Sequence, residues 1–385
     1  MVAVVSPWNY PFGIPFHEVT QALVVGNAVV FKVATQAQRV GEELLALYRD
    51  AGVPEEIVQQ VHTPGSKTGR AFFDAGVDKL FFTGSVAVGK QLMAEAAETL
   101  TPISLELGGN DAMIVAEDAN LRRAAAGAAW AGISNSGQSC GGVERIIVVE
   151  TVYDRFVELL GREVESLRQG DDTVPGPERS GAEDYAARET TAAGARGPAT
   201  ATGETTAAGR GVSGQGVPVD PAAVKIDFGA LTTASQLETV RAHVTDALDR
   251  GARVAAQSRP RGNGGLFHNA LVLENVSPDM AVFREETFGP LLAVIKVKDE
   301  EEALRLANDS DLGLTGSVWS RSRRRASSLA ARVEAGAVTI NDHLMSHGMP
   351  ETPWGGYKSS SIGRSHGGPG FHEMTRPKVV IHDTM

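Results

Sequence analysis

Short apolar runs that suit buried strands alternate with longer periodic runs that suit helices in the N-terminal part of the sequence. Residues 2–6 predict a strand, residues 26–32 predict a turn and a second strand, and residues 40–51 predict a helix that stops at the Gly-Val-Pro of residues 52–54. Residues 79–90 repeat the order as strand, glycine turn and helix. This alternation is typical of a parallel, doubly wound sheet, so the sequence predicts an α/β fold.

Composition and charge narrow the class of protein. A chain of 385 residues suits two or three domains, and its hydrophobic fraction of 42% is ordinary for a globular protein. The net charge of −11 argues against a nucleic-acid backbone or an anionic membrane as partner. The first residues lack the basic start and long apolar run of a signal peptide. We therefore expect a cytoplasmic protein.

Cys140 is the only cysteine of the sequence, which excludes an intrachain disulfide and a cysteine zinc cluster. A lone cysteine is commonly a small buried hydrophobe. Here Gly137 and its polar neighbours predict a tight turn, after a small-residue run at 124–129 that predicts a closely packed helix. A thiol on such a turn, with backbone N–H groups beside it, is a candidate nucleophile, and that role requires a depressed pKa.

A second candidate is Glu106, which lies between two leucines in the Leu-Glu-Leu-Gly-Gly of residues 105–109. This pattern is typical of a strand end or a buried bend, where burial raises the pKa of a carboxyl group. The alternative is an ordinary glutamate that points to solvent. A buried carboxylate of raised pKa would suit a general base.

Taken in order, Leu-Glu-Leu-Gly-Gly at 105–109 and Gly-Gln-Ser-Cys at 137–140 resemble motifs of the aldehyde dehydrogenase superfamily, and the resemblance extends over almost the whole chain. It implies a Rossmann-type cofactor domain at 1–106 and an α/β catalytic domain at 107–374. Family members begin well before the strand that opens this sequence, so we expect the cofactor domain to be incomplete at its N-terminus.

The resemblance also implies catalytic roles. The Pro-Trp-Asn-Tyr-Pro of residues 7–11 matches a family motif in which the asparagine amide stabilises the oxyanion, so Asn9 takes that role. By itself, such an asparagine would more often be a turn former. Cys140 would attack the aldehyde, and Glu106 would activate the water that releases the acid.

Cofactor residues follow from the same resemblance, with NAD(P) as the implied cofactor. Lys32 would hold the adenosine ribose, although a lysine at a strand end is usually a solvated charge. Gly84, Ser85 and Gly89 match the family's glycine turn and would bind the pyrophosphate, although such turns alone are common. Thr35 stands where many NAD-preferring members have a glutamate, so we expect NADP to be accepted.

Three further residues match later motifs. In the Glu-Glu-Thr-Phe-Gly-Pro of residues 285–290, Glu286 would bind the nicotinamide ribose and Phe288 would pack near the nicotinamide. Trp354 would lie at the substrate entrance. The usual Lys-x-Ser-Gly becomes Lys-Ser-Ser-Ser at 358–361. No set of candidate ligands has metal-site spacing, so we expect no metal.

Two segments depart from the pattern. Residues 168–225 contain no Leu, Ile, Met, Phe or Trp, which predicts a disordered insertion at 170–225. An inert surface insertion and a regulatory or partner-binding segment are both open. Residues 378–381 predict a terminal strand within an oligomerisation segment at 375–385, and hence a homo-oligomer.

The sequence as a whole predicts an enzyme that oxidises a small-molecule aldehyde to a carboxylic acid with NAD(P)+. A hemithioacetal and then a thioester would form on Cys140. Two alternatives remain open: a CoA-acylating relative, which would have no need of Glu106, and an inactive or binding-only homologue. Residues 343–349 carry no signature that identifies the aldehyde.

Overall fold

A computed structural model describes residues 1–170, 226–259 and 264–383. The strands are β1 (Val2–Val5), β2 (Val29–Lys32), β3 (Val58–Gln60), β4 (Lys79–Thr83), β5 (Ile103–Glu106), β6 (Asp111–Val115), β7 (Val143–Val149), β8 (Arg253–Gln257), β9 (Leu271–Glu274), β10 (Leu291–Val297), β11 (Leu312–Gly313), β12 (Thr315–Trp319), β13 (Ala337–Ile340), β14 (Tyr357–Lys358) and β15 (Ser361–Ile362).

The helices alternate with these strands. They are α1 (Gly13–Val24), α2 (Gln38–Asp50), α3 (Gly65–Asp74), α4 (Val86–Thr99), α5 (Leu121–Ile133), α6 (Glu150–Ser166), α7 (Ala234–Asp249), α8 (Ala281–Arg284), α9 (Glu300–Asn308), α10 (Arg323–Ala330) and α11 (Gly367–Glu373). Short 3₁₀ turns cover Thr35–Ala37, Ser134–Gly137 and Met345–Gly348.

The first sheet has the strand order β15-β5-β4-β1-β2-β3, and β1 to β5 are parallel. Side chains of β1 alternate between its faces, so Val2 and Val4 pack in one buried cluster and Ala3 packs in another. Helices cover both faces of a parallel sheet, which is why its strands are apolar on both sides. The expected α/β fold with a doubly wound sheet is confirmed.

The second sheet has the order β13-β12-β6-β7-β10-β9-β8 and is parallel except for the β8–β9 pair. Strand β7 is buried along its whole length. Strands β11 and β14 form a separate antiparallel pair. Strand β15 comes from the C-terminal part of the chain and pairs antiparallel with β5. It therefore forms the edge of the first sheet beside Glu106.

Helix α5 leads into the turn that carries Cys140. Asn120 caps the helix by accepting a hydrogen bond from the Arg123 N–H at 3.4 Å. A Cβ added at Gly127 would lie 2.4 Å from the Trp319 ring, and one at Gly132 would lie 2.2 Å from Leu292. Small residues therefore let α5 approach the second sheet closely, as its composition predicted.

Most predicted elements lie close to their observed positions. The helix expected at 40–51 is α2, and the strand expected after the turn in residues 26–32 is β2. Residues 375–383 form no strand within the single chain, so the oligomerisation strand predicted at 378–381 stays a prediction. Val379 and Ile381 are 82% and 87% exposed, because no strand in the described ranges pairs with this segment. The predicted insertion lies, apart from Gly170, outside the described residues.

Candidate active site

The carboxyl ends of four parallel strands meet at one edge of the first sheet. Val5 pairs with Lys32 across β1 and β2, and Thr83 pairs with Glu106 across β4 and β5. The residues that follow β1 and β4 include Asn9 and Gly84. This is the edge at which ligands bind in open α/β sheets. The register therefore places most of the predicted site residues on one side of the molecule.

Cys140 lies in a tight turn between the two sheets. The Gly142 N–H donates to the Ser139 carbonyl at 3.0 Å, so Cys140 and Gly141 are the two central residues. Gly137 precedes them with φ +73°, and a Cβ there would lie 2.1 Å from the Gly289 carbonyl oxygen. Only glycine fits that close approach, which ties the turn to the segment that follows Phe288.

Asn9 contacts the same turn from the first sheet. Its side-chain amide donates to the Gln138 carbonyl at 3.1 Å, and Asn135 donates to the Asn9 carbonyl at 2.9 Å. An amide nitrogen has two hydrogens, and the bond to Gln138 uses one of them. Asn9 is thus held against the Cys140 turn, and the hydrogen bond of its side chain joins two distant segments rather than closing a local turn.

Glu106 is buried, with 6% of its surface exposed. Burial and the nearby Glu18 carboxyl raise its pKa well above the ordinary value, while Arg364 acts in the opposite direction. A Cβ at Gly355 would lie 3.1 Å from Glu106 Oε1, so the glycine leaves room for the carboxyl. In the part of the chain that the structure describes, Glu106 Oε2 has no hydrogen-bond partner.

Glu286 and Phe288 lie on a loop that packs against the Gly108–Gly109 turn. The Gly109 N–H donates to Glu286 Oε1 at 3.0 Å, and burial raises the pKa of Glu286 to about 7. The Phe288 ring meets Trp8 edge-on with centroids 5.6 Å apart. The buried Glu144 accepts the N–H of Phe288 at 2.6 Å, which fixes the loop.

The electrostatics of Cys140 differ from the expected activation. Burial raises the pKa of its thiol, and Glu286, Asp111 and Glu106 raise it further. The Gly141 N–H opposes these effects. The chain's own carboxyl groups therefore favour the neutral thiol, whereas the sequence interpretation required a depressed pKa. Cys140 lies where three acidic side chains from separate segments converge.

Trp354 packs directly behind the turn. A Cβ at Gly141 would lie 2.9 Å from Cη2 of the Trp354 ring, and Trp354 itself is buried. The Trp354 backbone pairs with Ser365, whose N–H lies beside the Glu106 carboxyl group. The structure therefore places Trp354 against the residue that follows Cys140, and its role at the substrate entrance stays a prediction.

The predicted cofactor residues lie along the first sheet. The Gly84 N–H donates to the Glu106 carbonyl at 3.0 Å, and Ser85 caps α4 by accepting from the Val88 N–H at 3.4 Å. A Cβ at Gly89 would lie 2.7 Å from Leu107, so α4 begins in close contact with the catalytic motif. Lys32 is buried at the end of β2, and burial lowers the pKa of its ammonium group.

Thr35 begins an exposed 3₁₀ turn just beyond Lys32. Its hydroxyl group is therefore on the solvent side of the same edge, three residues from the lysine that was predicted to hold the adenosine ribose.

Sequence reasoning missed Glu18, a buried carboxyl on α1. The Thr83 hydroxyl donates to Glu18 Oε1 at 3.0 Å, and burial raises the pKa of Glu18 to about 8. Thr83 is also the strand neighbour of Glu106. Nothing in the sequence distinguishes Glu18 from an exposed helical glutamate, because only the tertiary packing of α1 brings it to the sheet edge.

A second missed group lies beneath the Cys140 turn. Asp111 accepts hydrogen bonds from the Thr315 N–H and hydroxyl, both at 2.8 Å. His343 Nε2 is 3.2 Å from the Gly141 carbonyl oxygen and 3.4 Å from the Thr315 hydroxyl. Sequence reasoning gave His343 no role, because its hydrogen-bond partners come from distant segments of the chain.

A cavity of about 320 Å³ opens beside β13. Its lining includes Thr339, Met345, Thr352 and Arg364. Arg364 thus borders this cavity while it also acts on Glu106.

Within the described ranges, no helix is both long and apolar enough to cross a bilayer. Across those same residues, no group of three or more His, Cys, Asp or Glu side chains is arranged to hold a metal ion.

A cysteine thiol with a side-chain amide and a buried carboxyl group nearby is a site that can be compared with those of known enzymes. The sequence model of the aldehyde dehydrogenase family matches residues 1–209 and 212–380. The chain therefore belongs to the aldehyde dehydrogenase family.

Individual relatives agree with this assignment. The 4,4'-diapolycopene aldehyde oxidase of Methylomonas sp. is 36% identical over 377 residues, which cover 98% of this chain and 61% of that protein. The chain thus spans less than two thirds of this curated relative's length.

Solved structures are similar throughout the chain. The NAD-dependent aldehyde dehydrogenase from Sinorhizobium meliloti has a TM-score of 0.80 at 31% identity, over 97% of this chain and 65% of that one. The succinate-semialdehyde dehydrogenase from Burkholderia pseudomallei has a TM-score of 0.81 at 32% identity, over 97% and 67% respectively.

Proposed function

We propose that the chain oxidises an aldehyde to a carboxylic acid with NAD(P)+, and that Cys140 is the nucleophile. The single observation that carries the proposal is the orphaned Oε2 of the buried Glu106, in the same site as the thiol. A buried carboxylate oxygen without a protein partner is suited to accept a proton from a water molecule. A CoA-acylating enzyme would have no use for that group.

The first half of the reaction forms a bond between sulfur and the aldehyde carbon. As the C–S bond forms, the thiol proton passes to one of the carboxylates that face it, and negative charge develops on the carbonyl oxygen. Asn9 is held at the Cys140 turn through Gln138, which leaves its second N–H for that oxygen. A pre-positioned donor of this kind stabilises the transition state without reorganisation.

The site also has features that fit a dinucleotide. Glycines at 84 and 89 remove side-chain bulk where a Cβ would clash, and the N-terminus of α4 offers N–H groups to a pyrophosphate. Lys32 supplies a cation at the same edge. When bound, the nicotinamide supplies the hydride acceptor that converts the hemithioacetal to the thioester.

The second half of the reaction releases the acid. Glu106 takes a proton from water, the water oxygen bonds to the thioester carbon, and the C–S bond breaks to return the Cys140 thiolate. Burial and Glu18 raise the pKa of Glu106, so a larger fraction is protonated at neutral pH than for an exposed glutamate. Hydrolysis should therefore accelerate as pH rises through the pKa of Glu106.

Further parts of the proposal rest on composition and family. Relatives are named for different aldehydes, and we propose an aldehyde substrate without a narrower class. A single cysteine fits a reducing compartment such as the cytoplasm. The exposed apolar side chains of Val379 and Ile381 fit a subunit contact in a homo-oligomer.

The test compares Glu106→Gln with the parent chain and with Glu163→Gln, an exposed position on α6. With an oxidisable aldehyde and excess cofactor, Glu106→Gln should produce one equivalent of reduced cofactor per site and then stall. Glu163→Gln should turn over like the parent. If no aldehyde in a broad panel reduces either cofactor with the parent chain, the proposed function is wrong.

A further inference from the structure

A chain of buried hydrogen bonds leads to the residue that follows the nucleophile. Trp319 Nε1 donates to Ser317 Oγ at 3.0 Å, Ser317 Oγ is 2.8 Å from His343 Nδ1, and His343 Nε2 is 3.2 Å from the Gly141 carbonyl oxygen. The three side chains are 1–3% exposed. They connect β12 to the turn that carries Cys140.

The Gly141 carbonyl at the end of this hydrogen-bond series determines which atom donates in each of its hydrogen bonds. A carbonyl oxygen only accepts, so His343 Nε2 must carry the hydrogen. A neutral imidazole has one N–H, so Nδ1 accepts and the Ser317 hydroxyl donates to it. Ser317 then accepts from the Trp319 indole, which only donates. Burial lowers the pKa of His343 to about 4, which keeps the ring in this neutral form at neutral pH.

The restraint acts on a residue that otherwise has great freedom. Gly141 has no side chain, and the Trp354 ring leaves no room for one. Its N–H faces the Cys140 sulfur, and its carbonyl is the group that His343 holds. The Gly141 carbonyl shares one planar peptide unit with the Gly142 N–H, which donates to the Ser139 carbonyl at 3.0 Å, so His343 and Ser139 hold this unit from opposite ends. Only the φ and ψ rotations of Gly141 then separate the held unit from the Gly141 N–H.

We propose that His343 is a positioning residue that holds the Gly141 carbonyl and thereby keeps the Gly141 N–H directed at the Cys140 sulfur. The proposal rests on Cys140 being the nucleophile of the proposed function. The acidic groups that face the thiol are Glu106, Asp111 and Glu286, with Tyr10 nearby, and the carboxylates disfavour the thiolate. A fixed N–H donor acts against them, because a hydrogen bond to the anion favours the charged form.

The test uses three substitutions of His343 that separate its two nitrogens. The Gln amide reaches the place of Nε2 and can donate to Gly141, whereas the Asn amide reaches the place of Nδ1 and can contact only Ser317. Leu can do neither. Cys140 is the only cysteine of the sequence, so the rate of iodoacetamide alkylation against pH reports its thiolate directly. The full chain is used, without aldehyde or cofactor.

We expect Leu and Asn to slow alkylation about tenfold at a pH below the thiol pKa, which corresponds to a pKa about one higher. Gln should restore most of the parent rate. A role in packing alone would make Asn and Gln equivalent, and that result would overturn the proposal. So would a parent-like pH profile in folded Leu. Should Leu fail to fold by circular dichroism, the contrast between Gln and Asn still decides.

Alkylation needs no turnover, so this result is independent of the aldehyde assay. A parent chain that oxidises no aldehyde would remove the proposed function, whereas equal Asn and Gln profiles would remove the role of His343 alone.

Discussion

Thr83 and Glu106 are register partners on parallel strands, and the Thr83 hydroxyl also donates to Glu18 at 3.0 Å. One threonine therefore lies between two buried carboxyl groups, and each of these has an oxygen without a partner among the described residues. Burial raises the pKa of both. Burial of this pair lowers the free energy of unfolding, and the loss grows as pH rises.

Replacement of Glu18 by Gln should stabilise the fold increasingly as pH rises. The pKa of Glu18 rises from 4.5 to about 8 on folding, so between these values the unfolded chain releases a proton that the native chain retains. Parent stability then falls by up to about 1.4 kcal/mol per pH unit, and Gln lacks this loss. Urea unfolding at pH 5.5 and 7.5 should show an advantage for Gln that grows by roughly 2–3 kcal/mol.

The control is Glu43→Gln, an exposed position on α2. Its stability should follow the parent at both pH values. An advantage for Glu18→Gln that stays constant with pH would mean that Glu18 ionises normally in the fold.

Glu286→Gln should make Cys140 more reactive toward alkylation, even though it removes a residue assigned to the cofactor. After burial, Glu286 is the largest influence that raises the thiol pKa. Removal of its charge should raise the thiolate fraction severalfold at pH 8, where Glu286 with a pKa of about 7 is ionised. Glu285→Gln is the matched control, since Glu285 is exposed. Equal rates in both variants would contradict the electrostatic account of the thiol.

Asn9→Ala should reduce turnover by roughly 10²–10³, the usual loss for one oxyanion donor. The same change removes the 3.1 Å hydrogen bond to the Gln138 carbonyl, so some loss of stability is expected as well. The two effects separate when kcat is measured on the folded fraction. Normal turnover with lower stability would assign Asn9 to the turn alone.

Thr35→Glu should shift cofactor choice from NADP toward NAD. Thr35 begins an exposed turn just after Lys32, at the edge where the adenosine ribose is expected. A carboxylate there would accept ribose hydroxyls and repel a 2′-phosphate. The ratio of kcat/KM for the two cofactors reports the shift, with Thr35→Gln as the uncharged control. A parent chain that ignores NADP would show that Thr35 does not set the preference.

Sequence motifs were sufficient to identify the residues that meet at the turn. Cys140, Glu106 and Asn9 come from three separate segments, and each belongs to a local pattern that the chain displays in order. Parallel pairing of β1, β2, β4 and β5 then places those segments at one edge. Local pattern and sheet topology together were therefore enough for the outline of the site.

The remaining features depend on contacts that no local pattern records. Glu18 is buried because α1 packs its inner face on the sheet, and His343 matters because distant residues satisfy both of its nitrogens. The thiol pKa is set by carboxyl groups from three segments. Residues 378–381 have strand composition but no neighbouring strand in the described chain, so they form none.

In the proposed reaction an acyl group becomes attached to Cys140, and Glu106 activates the water that removes it. The most direct measurement is mass spectrometry of Glu106→Gln, quenched in acid after mixing with an aldehyde and cofactor. The account predicts an added acyl mass on the peptide that contains Cys140, in an amount equal to the reduced cofactor formed. Reduced cofactor and free acid with an unmodified Cys140 would contradict it.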